Sequence, residues 1–217
     1  QDLDSSAVTT VTGSTLTTNT ANFTAANDTV GVDVAGQISV GSVAAGLALV
    51  YHGLDNKTGA YVYGTEINAL DKAVGVAVGL DAESRAKIFS VGAGVSATTE
   101  TLALNGDFAI NRGSNTTEAI VDQDAAEKRS KIQSAKNVNV TAKDNTVMVA
   151  IAGGVTAGSG SAVGGAVALS DIGGFSAKGE KSSQNITAHI DNTDITSYTP
   201  AETVSDKTVA INTAAED

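Results

Sequence analysis

The feature that most restricts what this chain can fold into is that it repeats itself. Thr146-Val-Met-Val-Ala-Ile-Ala-Gly153 overlays Thr29-Val-Gly-Val-Asp-Val-Ala-Gly36 without a gap, and Lys87-Ile-Phe-Ser-Val-Gly-Ala-Gly94 falls on the same frame, at offsets of about 58 and 59 residues. A second block recurs as Leu47-Ala48-Leu49, Phe108-Ala109-Ile110 and Val167-Ala168-Leu169. A third joins Asn56-Lys-Thr58 to Ala60-Tyr-Val62, Asn115-Thr-Thr117 to Ala119-Ile-Val121, and Asn185-Ile-Thr187 to Ala188-His-Ile190. The last interval is longer by about ten residues, and the surplus, GGFSAKGEKSS over 173–183, reads as a polar inserted loop. A fourth copy begins at Thr208-Val-Ala-Ile211. The repeats run over about 23–80, 81–136 and 137–200, with a truncated fourth from 201, in one continuous segment 1–217.

Each block alternates apolar and small or polar residues with period two, the signature of strands, and glycines separate the blocks. A block of this kind cannot bury its apolar face alone; stacked on its neighbours it can. The expectation is an all-β, right-handed parallel β-helix with about 20 residues per coil. Ten or eleven coils at about 4.8 Å each make a rod on the order of 50 Å. Inward Val, Ile, Leu and Ala would stack in ladders, with Gly, Asn and Asp at the corners.

There is no Trp, only four Phe and four Tyr, and a single proline, Pro200. A core without aromatics is thin, and a chain with a single proline keeps its ladders largely uninterrupted. The absence of cysteine excludes a disulfide scaffold, thiolate metal sites and a cysteine nucleophile. A net charge of −11 argues against nucleic acid as a partner. The region 146–170 is longer than a membrane span, but glycines and hydroxyl residues interrupt it, so it does not read as a transmembrane helix. The opening Gln1-Asp2-Leu3-Asp4 is polar and is no signal peptide, and both ends run into repeat material. A piece of a longer protein is expected.

Along the chain, residues 1–22 carry many threonines, which read as strand formers on a solvated face rather than as an ice-binding hydroxyl array. Val30, Val32 and Val34 are expected to form an inward row, followed by a strand over 44–50. In Tyr61-Val62-Tyr63 the valine points in and both tyrosines point out, as a cross-strand cover or a platform for sugar or peptide. Residues 72–78 alternate as a strand, and 81–87, DAESRAK, reads as a polar corner. Residues 122–134 are the most helix-compatible stretch, an excursion with a helical turn.

Catalytic patterns are weak. His52 and His189 lie in different blocks without HxH or HExxH context, and there is no GxSxG elbow. The acidic residues Asp55, Glu66, Asp107, Glu118 and Asp191 are scattered, mostly at expected corners, whereas a glycosidase needs a carboxylate pair. No cofactor is indicated. Incidental Ca²⁺ binding has candidates in Asp122 with Asp124 and Asp191 with Asp194, although the glycine pairs lack the GGxGxD pattern of calcium-binding solenoids. The Asn-x-Thr triplets at Asn56, Asn115 and Asn185 read as corner asparagines.

GGAVALSDI followed by NITAHIDNTDITS, and GLALVYHGLDNKTGAYVYGTEINA upstream, resemble the repeats of type V-secreted autotransporter and filamentous-haemagglutinin-like adhesins, including the large fusobacterial surface proteins. Asp107-Phe-Ala-Ile-Asn-Arg112 departs from the family's small-residue strand. The resemblance implies a non-catalytic β-helical passenger on the bacterial cell surface, part of a longer chain anchored in the outer membrane. Its partner would be a host or partner-cell receptor, protein or glycan. The candidate contact residues are Tyr61 and Tyr63, Lys128 and Arg129 in the 122–134 excursion, and Phe175 and Lys178 in the inserted loop. Two other readings fit the repeats: a trimeric autotransporter head built as a left-handed β-roll, and a polysaccharide-degrading β-helix enzyme.

Overall fold

A computed structural model describes residues 1–70, 75–173 and 184–197, and the backbone alone of 211–216. Among these residues every element is a strand and every pairing is parallel. The first half contains β1 (Asp2–Thr12), β2 (Thr15–Thr18), β3 (Ala21–Tyr63), β4 (Glu66–Ala69) and β5 (Val76–Asp122). The second contains β6 (Ser130–Ser134), β7 (Asn137–Asp144), β8 (Val147–Gly158), β9 (Ser161–Ile172), β10 (Asn185–Ile190), β11 (Thr193–Ser197) and β12 (Ile211–Glu216). A small sheet runs β11-β6-β4-β2; the other eight strands form one large curled sheet.

The long strands fold back on themselves. β3 breaks register at Gly41/Val43, and its two halves then face each other through side chains. Asn27 meets Asn56, and Asp33 meets His52. β5 does the same, with Ser90 Oγ donating to Asn111 Oδ1 at 2.5 Å. Each half is about 20 residues, so the doubled arm is about 65–70 Å long. A short strand of the small sheet closes each pass before the next begins.

The expected coil of about 20 residues is therefore corrected. Val30 lies beside Lys87 and Lys87 beside Val147, so the chain regains its level after about 60 residues. The three blocks of one repeat are successive stations of a single pass, not three coils. The stack is only a few strands deep, about 15 Å at the usual spacing, and the long dimension runs along the strands. The ten extra residues fall where expected, between the pair Gly113/Ile172 and the pair Thr116/Asn185. Thr208 to Ala210 lie outside the described residues, and Ile211–Glu216 sits beside Val138 to Lys143.

Two interiors result. At the base, three walls enclose an aliphatic core. Ala60, Val62, Ala119 and Val121 form one wall, Val78, Leu80, Val138 and Val140 the second. The small sheet supplies the third as a column, Leu16 beside Ile67, Ile67 beside Ile132, Ile132 beside Ile195. Positive φ at Gly13, Gly64 and Asn192 turns the chain into that third wall. These residue types tolerate the left-handed region best.

In the arm the inner face is largely polar. Ser5 Oγ donates to Asn27 Oδ1 at 2.8 Å, Asn27 Nδ2 to Asn56 Oδ1, and Asn56 Nδ2 to Ser84 Oγ at 2.7 Å. Farther out, Gln37 Nε2 donates to Asn105 Oδ1 at 2.5 Å, and Asn105 Nδ2 to Asp107 Oδ2 at 2.8 Å. One apolar layer, Leu54, Ala86 and Ile88 with Leu3 and Met148 against them, interrupts this gallery. Asn56, Asn115 and Asp107 are thus buried inside strands, not placed at corners.

The inward valine row is also corrected: Val30, Val32 and Val34 are 71 %, 62 % and 72 % exposed. The outer-face neighbours of Val32 and Val34 are apolar too, in rows such as Val34–Val91–Ile151 and, farther out, Ile38–Val95–Val155, whereas Val30 lies beside Lys87. The predicted frame placed Lys87 beside Thr29, and the true partner is Val30. A slip of one residue exchanges the faces of a strand. The shift in the second block, Leu47 beside Gly106 rather than Phe108, is two residues and preserves the face.

Residues 81–87 form no corner. They run inside β5, with Ala82, Ser84 and Ala86 buried and Arg85 outside, bonded to Glu83 at 2.5 Å and 2.7 Å. Nor is 122–134 a helical excursion. A tight turn over 123–129 leads directly into β6, whose Ile132 is fully buried.

Candidate functional site

The outer face at the base carries the tyrosines. Val62 lies in the aliphatic core, so period two sends Tyr61 and Tyr63 outward as the sequence predicts. Their rings stack with centroids 5.8 Å apart and planes 13° from parallel. The two differ in access. Tyr61 is only 7 % exposed, because its ring lies over Gly59 in the space a Cβ would fill, whereas Tyr63 is half-buried.

Glu118 fixes the pair. Tyr61 Oη donates to Glu118 Oε2 at 2.6 Å, and Asn185 Nδ2 donates to Glu118 Oε1 at 3.2 Å. This bridge joins three successive passes. Burial is the main cause that raises the Tyr61 phenol above its ordinary range, and the bond and charge of Glu118 add to it. Tyr63 is raised by burial first, then by the charges of Glu118 and Asp122.

The sign follows from proton counting. Above about pH 10 the unfolded chain loses phenolic protons that the native chain retains, so stability holds below that pH and falls as pH rises past it. Absorbance at 295 nm should show a late-ionising tyrosine fraction in the native protein that disappears in urea. Glu118→Gln should shift part of that fraction to lower pH. A single native titration step identical to the one in urea would contradict the placement of these rings.

Tyr63 also borders a recess of ≈ 520 Å³ lined by Thr12, Asp122, Gln123, Asp124 and Ala125. Its wall is the 123–129 turn. Asp124 Oδ1 accepts from the amides of Ala126 and Lys128 at 2.9 Å and 3.0 Å, and Glu127 carries φ 60°. Lys128 and Arg129 are exposed on the far part of this turn and are not among the lining residues. Arg129 pairs with Asp194 at 2.8 Å, a half-exposed ion pair of the kind worth about 0–1 kcal/mol. The structure therefore joins Tyr63 to the start of the turn but leaves both cations off the platform. Phe175 and Lys178 lie outside the described residues.

The Ca²⁺ candidates use their oxygens locally. Asp122 Oδ1 accepts from the Gln123 amide at 2.7 Å and from Asn192 Nδ2 at 3.0 Å, Asp191 Oδ1 accepts from the Asn192 amide at 2.8 Å, and Asp194 holds Arg129. Among the described residues no three His, Asp or Glu side chains converge as a metal site. His52 is fully buried in the arm with Nδ1 on Asp33. Glu118 and Asn185 are not contact residues that the sequence singles out. The signal was present in the repeat: Glu118 lies beside Gly59 one pass up, two positions from the Tyr61 partner.

The arrangement offers an aromatic face with a carboxylate rim. It suits stacking and hydrogen bonding to a sugar or an amide. No protein-family profile, curated protein or solved structure matches this chain.

Proposed function

We propose that this chain is a right-handed parallel β-helix segment of a bacterial cell-surface adhesin, a non-catalytic passenger exposed outside the cell. The observation that supports it best is the parallel register, kept pass upon pass at about 60 residues. A fold of that kind extends by adding passes, as a surface stalk requires. The adhesin repeats that the sequence resembles point the same way. Receptor contact, to protein or glycan, is assigned to the Tyr63 recess and to Lys128 and Arg129 beside it.

Attachment of partner or host cells to the immobilised chain tests this reading. Tyr63→Ala combined with Lys128→Ala and Arg129→Ala should reduce attachment several-fold while leaving the fold intact. Attachment that never exceeds an albumin-coated surface would remove the binding role and leave a spacer.

The stacking itself has a separate test. Val78 lies beside Val138, so deletion of residues 79–138 joins equivalent positions and removes one pass. The shortened chain should keep a β-type circular dichroism spectrum and a single, earlier unfolding transition. Loss of cooperative unfolding would show that the passes are not interchangeable units.

A further inference from the structure

We propose that the outer face of the outgoing half of the arm is the contact surface for a second copy of this chain. This inference does not depend on the adhesin reading. The face is the stack of 30–40 in β3, 87–97 in β5 and 147–157 in β8, and its exposed large apolar side chains are 37–81 % exposed. It measures about 33 Å along the strands and about 14 Å across three of them, about 450 Å² in projection. Lys87 is its one charged side chain, in the row nearest the base, and an apolar patch of that size matches the largest one on a typical monomer, which is often functional. At the base it is bounded by the polar row of Asp28 beside Arg85, as a rim should be.

Shape selects the occupant. Gly36, Ala93 and Gly153 lie side by side across all three strands, so the middle of the face is a trough of ≈ 740 Å³ with one methyl group on its floor. Ridges of Val and Ile flank it on either side, the rows at Val34 and at Ile38. The ridges are about 13 Å apart, which leaves room for one more row of branched side chains. A two-fold axis between the Val34 row and the trough sets each copy's Val34 row into the other's trough and brings its Val32 row against the other's Ile38 row. The other outer face lacks this trough, because Leu47 stands in the row it makes with Gly106 and Gly165. Two copies cover about 900 Å² in projection, and side-chain relief brings the accessible area toward the roughly 1,000 Å² a specific interface needs. The result is a concentration-dependent dimer, with a dissociation constant on the order of tens of micromolar.

Sedimentation velocity of the whole 217-residue chain from about 1 µM to about 500 µM tests this. The wild type should move from monomer to dimer. Ala93→Glu, which places a carboxylate on the trough floor, should weaken association at least tenfold with an unchanged circular dichroism spectrum. Ile38→Lys, at the most exposed apolar side chain, should do the same should A93E misfold. Leu104→Glu, on the opposite face, should leave the dimer intact. A wild type that stays monomeric throughout overturns the proposal, as does a dimer broken by Leu104→Glu but not by A93E. Flotation with phosphatidylcholine vesicles separates the remaining source of affinity. A monomeric protein that floats, and no longer floats as A93E, would assign the face to a lipid surface and overturn the dimer.

Discussion

Ile132→Ala is expected to lower the free energy of unfolding by about 2–5 kcal/mol, the range for truncating a fully buried isoleucine. Ile132 stands in the middle of the column that runs from Leu16 through Ile67 to Ile195. Its side chain is 0 % exposed, and the three-walled base offers little slack to fill the space. Val32→Thr, by contrast, should cost no more than about 0.5 kcal/mol, because surface substitutions away from special features rarely do. The pair is a direct test of register. The sequence pattern suggests the opposite ranking, with Val32 in a valine row and Ile132 in a helix-compatible polar stretch. Urea midpoints measured at low micromolar concentration, where self-association does not contribute, decide between them. A larger loss from Val32→Thr would mean that the faces of β3 are reversed.

Gly92→Ala is the second large effect, a loss of about 1–3 kcal/mol from overpacking. A Cβ at Gly92 would lie 2.8 Å from the Phe108 carbonyl oxygen and 3.3 Å from its carbon, both backbone atoms of the facing half of β5. No side-chain rotation relieves that contact; the halves of the arm must part. Gly106→Ala in the same strand should be neutral or stabilise by up to about 1 kcal/mol, since it restricts the unfolded chain. There the nearest atoms are Leu47 Cδ1 and Phe108 Cε2, both at 3.5 Å. Equal losses at the two glycines would argue that the arm is not closed at this level.

Much of the architecture was legible because strands declare themselves by period two and a chain almost free of proline does not break them. The third block shows this best. Asn56 lies beside Asn115, Thr58 beside Thr117, Ala60 beside Ala119 and Val62 beside Val121, all as the repeat predicts. The inner face of the arm was within reach of the same reasoning. Counting back in twos from the inward Val62 reaches Thr58, Asn56, Leu54 and His52, all buried. Valine's usual preference for the interior points the other way at Val30, Val32 and Val34. At the tyrosine site the outward direction of both rings was readable, but the difference in access was not. It comes from Gly59 and from Glu118 on the next pass.

The amino-acid order alone therefore established parallel, period-two strands, a repeat of about 60 residues and an insertion of about ten. These are local or self-comparative properties and need no partner. Which face of each arm turns inward was decided only by the tertiary structure. A strand carries two faces of equal standing until a neighbour hydrogen-bonds to it, and moving that neighbour by one residue exchanges them. The same is true of the size of a pass: three blocks per repeat become three short coils or one long doubled arm according to which edges meet, and edge pairing is a long-range choice.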